Sequence, residues 1–451
     1  MFTVTVAGAH GHAVTLTYDS AANAALAQQL ANAITAGVQN GTIIPAIDTD
    51  GPPPTVPAGK TGEWVQSKAG FTILPHGYEA VVNTADQAII FGSGDAGESI
   101  LSSRDDLNFF ATGGSGTVAA GGGDNRIIIP ITDAGSWSIN TGRGDDLISA
   151  LGKGNDTINA GGGHNAITLG DGHDVVTTTG DDTVVAGSGH ETIGAVGRHT
   201  SDVVYGNGST LFFVTADGAA TVFGGSGTDT FFGGNGPDLV YGGSGGNNFL
   251  MAGMGTATLF GGGSGDQLFA VGGIGQALHA GAGNETLSGA FSSGADTFYG
   301  SAGATSIVGG FGDDTFVFTD GQAGGTATIQ GFSHGSDVVD LQGYGKHAVA
   351  DALKSQHKEG GNDTITLSDH TMITFLGVSN LTKSDFITSG NDGDHGHGGG
   401  GDHGHGGGGD DGNGGGGCDD GHGHGHGNGE HGGHDHDDDH GHLRDTPFDH
   451  H

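Results

Sequence analysis

Residues 224–241 read GGSGTDTFFGGNGPDLVY, one nine-residue phrase written twice. Glycines fall at Gly225, Gly227, Gly234 and Gly236. An aspartate follows two residues after each pair and an apolar residue two further on: Asp229 and Phe231, then Asp238 and Val240. The phrase is GGxGxDxU, with U apolar. Glycine accepts positive φ, so a Gly-x-Gly turn bends sharply and brings its carbonyls inward. Those carbonyls and the carboxylate that follows are hard oxygen donors, suited to a cation such as Ca²⁺ that takes six to eight irregular oxygen ligands. The apolar residue then opens a short strand whose side chain enters a core.

The same phrase recurs along the chain. From about residue 64 an apolar position returns every nine or ten residues, through Val82, Ile90, Ile100, Phe109, Val118, Ile128, Trp137 and Ile148. It continues through Phe212, Val222, Phe231, Val240, Phe249 and Leu259 to Ile307 and Phe316. A fixed short period of this kind is the signature of a solenoid, so the fold class expected is all-β, a parallel β-solenoid. Two repeats per coil give about 13 coils. The acidic position is filled at Asp146, Asp156, Asp174, Asp182 and Glu191, then at Asp229, Asp238, Asp266, Glu285, Asp296 and Asp314. It is lost at Asn165, Thr210, Ala220, Asn247, Ala257 and Thr305. The metal-ligating set expected is therefore Gly152, Gly154, Asp156, Asp174, Asp182, Gly225, Gly227, Asp229, Gly234, Gly236, Asp238, Asp266, Asp296 and Asp314.

Composition supports this reading. The 451 residues include 99 glycines and are only 33% hydrophobic, which excludes an ordinary thick-cored globule. A formal charge of -39 with only 12 Lys and Arg leaves most carboxylates without a protein partner. That charge argues against nucleic acid or an anionic membrane surface as partner. Cys418 is the sole cysteine, so no intrachain disulfide holds the fold. No run approaches the ~20 apolar residues of a membrane span, and residues 1–12 show neither a basic n-region nor an apolar h-region.

Six segments are expected. Residues 1–44 read as a small separate element: alternating Phe2, Val4, Val6 and Val14, Leu16, Tyr18 suggest a hairpin, and Asp19 and Ser20 offer an N-cap to a helix with Leu26, Leu30, Ile34 and Val38 on one stripe. Residues 45–63 read as a Pro-rich linker. Residues 64–141 keep the period with few glycine-acid turns and are expected to be a metal-poor solenoid; residues 142–323 carry the cation-binding turns. Residues 324–390 depart from nonapeptides, with two strand-turn-strand stretches around a short helix at 347–358, and are placed to cap the last coil. Residues 391–451 are Gly, His and Asp, expected to be disordered. Their fourteen histidines, in HGH, HGHGH and HDHDDDH, could hold Zn²⁺, Ni²⁺ or Cu²⁺, or simply belong to a solubilising spacer.

The stretches GKGNDTI (152–158), GSGTDTF (225–231), GNGPDLV (234–240) and GDDTF (312–316) resemble the RTX, or repeats-in-toxin, calcium-binding family. IQGFSHGSDVVDL and the later DTITLSDHTMITFLGVSNLTKSDF are similar to a serralysin-like C-terminal cap. The resemblance spans roughly residues 142–389. It implies a calcium β-roll in an extracellular protein, exported by type I secretion machinery through an uncleaved C-terminal signal and folding on meeting calcium outside the cell. The Gly-His-Asp tail departs from the family pattern.

No catalytic constellation is found. HExxH is absent, and GGSGG at 242–246 fits GxSxG only because glycine is abundant, in a repeat turn instead of a strand-to-helix elbow. The function expected is a structural, adhesive or surface-associated calcium β-roll that is not an enzyme. The alternative is a solenoid carbohydrate-active enzyme or polysaccharide-binding module working through Trp64, Phe71, Tyr78, Phe91, Phe109, Phe110 and Trp137. Grouping of these rings on one face would favour it, and their burial would remove it.

Overall fold

The structure, a computed structural model, describes residues 1–103, 106–208, 210–322 and 324–390. Expectations for the tail from residue 391 lie outside the described residues.

Two parallel sheets face each other across one continuous apolar core. A long sheet begins at Ile43–Ile47 and Thr61–Gln66 and climbs coil by coil through Tyr78–Asn83, Ala96–Ser102, Ser115–Ala119 and Trp137–Asn140 to Thr326–Gln330. The opposite sheet has 16 strands, from Gly70–Ile73 to Phe386–Ile387. Each coil contributes one strand to each sheet, and the strands of the solenoid pair in parallel with those one coil below and above, with register shifts at Ser115/Gly116, Phe269/Val271 and Gly62/Glu63. At a strand spacing of ~4.8 Å the 16 rungs span roughly 70 Å.

The solenoid is longer than the period suggests, at both ends. Ile43–Ile47 already forms a rung against Thr61–Gln66, so the segment read as a linker starts inside the first coil and only its middle crosses as loop. At the far end the cap strands continue both sheets: Met372–Leu376 adds in parallel to Thr326–Gln330, and Phe386–Ile387 adds to Val338–Gln342. Antiparallel Asn362–Thr366 then covers the growing edge, with the helix Ala348–Lys354 beside it. An edge strand left bare would invite another chain to pair with it, which this cover prevents.

The inward residue is two positions after the turn acid, and it is fully buried at Ile148, Ile158, Phe231, Val240 and Phe316 among others. Four expectations slip by one residue: Val81, Ile127 with Ile129, Phe213 and Leu250 face the core in place of Val82, Ile128, Phe212 and Phe249. At each of these places adjacent apolar residues satisfy the period equally. Register with the neighbouring coil chooses between them, because a one-residue slip moves a side chain to the other face of the sheet.

The N-terminal hairpin of β1 (Phe2–Ala7) and β2 (Ala13–Tyr18) and helix α1 (Ala21–Asn40) form as read, with Ser20 Oγ accepting from Asn23 N and Gly41 at φ 74 ending the helix. They do not stand apart. Val4, Val6, Leu16, Tyr18, Ala27, Ala31 and Ile34 make a second core with Val65, Ala80, Val82, Leu101 and Ala119, the outward residues of successive coils. The helix buries its alanine face, with Leu26, Leu30 and Val38 at the margin, since small residues let the helix approach the flat sheet closely. Asp19 Oδ2 accepts from Arg143 N at 2.9 Å, tying this element to the first glycine turns of the array.

Candidate cation sites along the turn edges

The coils turn along two edges: an exit edge, where the chain leaves the long sheet, and an entry edge, where it returns. Asp146, Asp182, Asp238, Asp296 and Asp314 fall on the exit edge; Asp156, Asp174, Asp229 and Asp266 fall on the entry edge. Gly152 and Gly154, and Gly225 and Gly227, make entry turns, and Gly234 and Gly236 make an exit turn.

Glycine is required here by close stacking as much as by φ. At several entry turns the third position sits against the carbonyl of its counterpart one coil below. A Cβ on Gly154 would overlap the Gly135 oxygen, one on Gly172 (φ 132) the Gly154 oxygen, and one on Gly189 the Gly172 oxygen. The carbonyls of successive turns are thereby drawn into columns of closely spaced acceptors.

The acids form ladders between coils. On the entry edge Trp137 N donates to Asp156 Oδ1 at 2.7 Å and Asp156 N to Asp174 Oδ1 at 2.8 Å. Higher up, Leu211 N reaches Asp229 Oδ1 at 3.1 Å, Asp229 N reaches Asn248 Oδ1 at 2.7 Å and Asn248 N reaches Asp266 Oδ1 at 2.8 Å. On the exit edge the ladder runs Asn125, Asp146, Asn165, Asp182, Asp202 and resumes as Gln276, Asp296, Asp314, Asp337. Thus one carboxylate oxygen serves the backbone of the coil below. The other oxygen closes its own turn in Asp229, Asp266 and Asp314, accepting from Gly225 N, Gly262 N and Gly310 N. In Asp146 and Asp174 the second oxygen, and in Glu285 both, are buried without a hydrogen bond.

These side chains are almost wholly buried, and among the described residues no Lys or Arg pairs with any of them. Burial therefore pushes their pKa values up: Asp146, Asp156 and Asp229 to about 6, and Asp174, Asp202, Asp238 and Glu285 to about 7. Buried, unpaired carboxylates beside columns of carbonyl oxygens have the chemistry of a hard-cation site lacking its charge. Among the described residues no three His, Cys, Asp or Glu side chains converge, so most ligands here must be backbone oxygens.

The sequence reading missed several rungs. Asn248, and not Asn247, occupies the ladder, because Asn247 takes a left-handed conformation (φ 63) that absorbs an extra residue in the turn. Asn125, Asp202, Gln276 and Asp337 are rungs without a full glycine motif. Asn165, counted as a loss, still accepts and passes on the ladder hydrogen bond. Each lies two residues before an inward apolar residue, a signal independent of glycine.

Of the rings considered for a sugar-binding face, Trp64, Tyr78, Phe109 and Trp137 are buried in the core. Phe71, Phe91 and Phe110 stack outside, with Arg126 over Phe110. A longer outer column runs Tyr205, Phe223, Tyr241, Phe260, His279, Tyr299, with centroids 3.8 to 5.3 Å apart. Burial between Phe260 and Tyr299 lowers the His279 pKa to about 4. Near-parallel rings cover one another's faces, leaving edges toward solvent.

A parallel β-roll with stacked glycine turns and buried acid ladders on both edges has the features of a calcium-binding repeat protein. The family model of the RTX calcium-binding nonapeptide repeat (4 copies) matches residues 142–176, 175–194, 215–248, 223–259 and 292–322. Over these residues the chain carries RTX calcium-binding nonapeptide repeats, set in a parallel β-solenoid. No curated protein matches the chain.

Proposed function

We propose that this is a secreted protein whose β-roll folds on calcium outside the cell and then serves a structural, adhesive or surface-associated role. The acid ladder supports it most directly: carboxylates buried without basic partners destabilise the roll until cations compensate them. The ligands proposed are Asp156, Asp174, Asp229, Asp238, Asp266, Asp296 and Asp314, with Asp182 on the exit edge, and the carbonyls of turns such as 152–154, 225–227 and 234–236. Sites of extracellular modules bind calcium at about 10⁻⁴–10⁻³ M, so the chain would stay open in a calcium-poor cytosol and close outside. Export through type I machinery would draw its information from between about residues 337 and 451, after the array. The tail histidines would add a separate Zn²⁺ or Ni²⁺ site that fades as pH falls through about 6.5.

The test is a calcium titration of chelator-stripped protein followed by circular dichroism. A cooperative gain of β-signal in the millimolar range is expected, and a full β-signal in chelator would sink the reading. Fusion of residues 324–451 to a slow-folding passenger in a cell with a matching exporter tests the export claim, by whether the passenger reaches the medium.

A further inference from the structure

The segment expected to be metal-poor contains one turn built like those of the array. Residues 92–98, GSGDAGE, lie on the entry edge between the strands Ala88–Phe91 and Ala96–Ser102. Glu98 is 1% exposed and sits two residues before the inward Ile100, as Asp229 sits before Phe231. Gly94 N donates to Glu98 Oε1 at 2.8 Å across four residues, as Gly225 N does to Asp229 Oδ2 at 3.1 Å and Gly262 N to Asp266 Oδ2 at 2.7 Å. Ser93 Oγ adds a second hydrogen bond to Oε1 at 2.9 Å. The other oxygen, Oε2, is buried and has no partner. It lies 2.6 Å from where a Cβ on Gly92 would stand, just as the Asp238 Oδ2 lies 2.7 Å from that point on Gly233.

The next turn on this edge closes the cradle. Thr112 Oγ1 donates to the Gly92 carbonyl at 2.9 Å, and a Cβ on Gly114 would overlap the Asp95 carbonyl oxygen. Two stacked turns thus lie beside a carboxylate oxygen that is buried without a partner, with no Lys or Arg paired to it among the described residues. Asp95, which would otherwise be the natural ligand of a Gly-Ser-Gly-Asp turn, is engaged elsewhere, accepting from Gly77 N at 2.6 Å and facing His76 Nδ1 at 3.0 Å. Glu98 itself holds the acid position, four residues after the donor Gly94 and two before the inward Ile100.

We propose that Glu98 Oε2, with carbonyl oxygens of turns 92–97 and 112–114, holds a calcium ion outside the repeats that the family model matches. The site rests on the calcium reading of the array and extends it to the N-terminal coils. A protonated Glu98 is the competing state, since burial raises its pKa to about 7, and calcium would displace that proton.

Hydrogen exchange of the full chain, read by mass spectrometry on peptides covering 90–102 and 224–241, tests this with Glu98→Gln beside the unaltered protein. Glutamine preserves shape and removes the charge. The expected result is that calcium slows exchange in both peptides of the unaltered protein, and that Glu98→Gln abolishes the slowing in 90–102 alone. If 224–241 responds while 90–102 responds equally in both proteins, Glu98 is a buried acid without an ion and the proposal fails. If neither peptide responds to calcium, the reading of the whole array fails with it.

Discussion

Coils 61–140 and coils 142–319 share one backbone path and one core, yet different chemistry holds them. The first group fills its interior with Trp64, Tyr78, Phe109 and Trp137, joins neighbouring coils through side-chain amides such as Asn83 to Ser102 Oγ at 3.0 Å, and shelters its outer face under a helix. The second group packs aliphatics such as Ile158, Val176 and Val184 beside Phe213, Phe231, Phe298 and Phe316. It carries a column of rings instead of a helix on its outer face, and has glycine turns whose buried acids lack a Lys or Arg partner among the described residues. A β-solenoid can therefore be closed by packing or by electrostatics. On the proposed calcium reading, only the second region needs an ion to fold, because packed apolar surface needs no external partner.

Removal of calcium should separate the two regions most. Chelator should collapse hydrogen-exchange protection across 142–319 to that of an unfolded chain, while most of 61–140 keeps its protection. Uniform loss over both regions would show that the packed coils depend on the array.

Acidity should separate the regions next. Asp174, Asp202, Asp238 and Glu285 have folded pKa values near 7, above their unfolded values near 4. Without calcium they favour the fold below about pH 4, and this contribution is lost as pH rises through 7. Calcium-free protein should thus show more β-signal at pH 5 than at pH 8. Calcium binding has the opposite dependence, since protons compete: below pH 7 each pH unit should weaken an affected site by up to about tenfold. A calcium midpoint that does not move between pH 8 and pH 5.5 contradicts both halves.

Asp229→Ala with Asp238→Ala removes one acid from each edge. A several-fold rise in the calcium midpoint is expected by circular dichroism, with thermal stability of the 61–140 coils unchanged. The smallest effect is expected at Asp133, which lies outside the ladders but is not idle: its carboxylate accepts from Trp137 Nε1 and Gly135 N, both at 3.0 Å. Asp133→Ala leaves a buried indole N–H unpaired, at a cost of about 1–3 kcal/mol. It should lower the melting temperature in saturating calcium while the calcium dose needed at the array changes little; a shift as large as that of the double variant would make Asp133 part of a site.

Much of this was legible in the residues. The nine-residue period named the solenoid, and the acid after each glycine pair named Asp229, Asp238 and Asp266 as buried turn residues, since those features are local and repeat. Helix α1 and its cap at Ser20 were equally local. The rungs at Asn125, Asp202 and Asp337 were hidden because their turns lack the glycine motif and are shaped by the coil beneath them.

By itself, then, the sequence determined the fold class, the direction of every repeat and the chemistry of its turns, because each depends on residues within one period. Only the tertiary structure decided which of two adjacent apolar residues turns inward, at Val81 and Val82 or Phe212 and Phe213. It alone seated the N-terminal helix on Leu101 and Ala119, and brought Glu98 into the place of a repeat aspartate. Those outcomes are set by register between coils ~20 residues apart, where the side chains of one rung meet the backbone of the next.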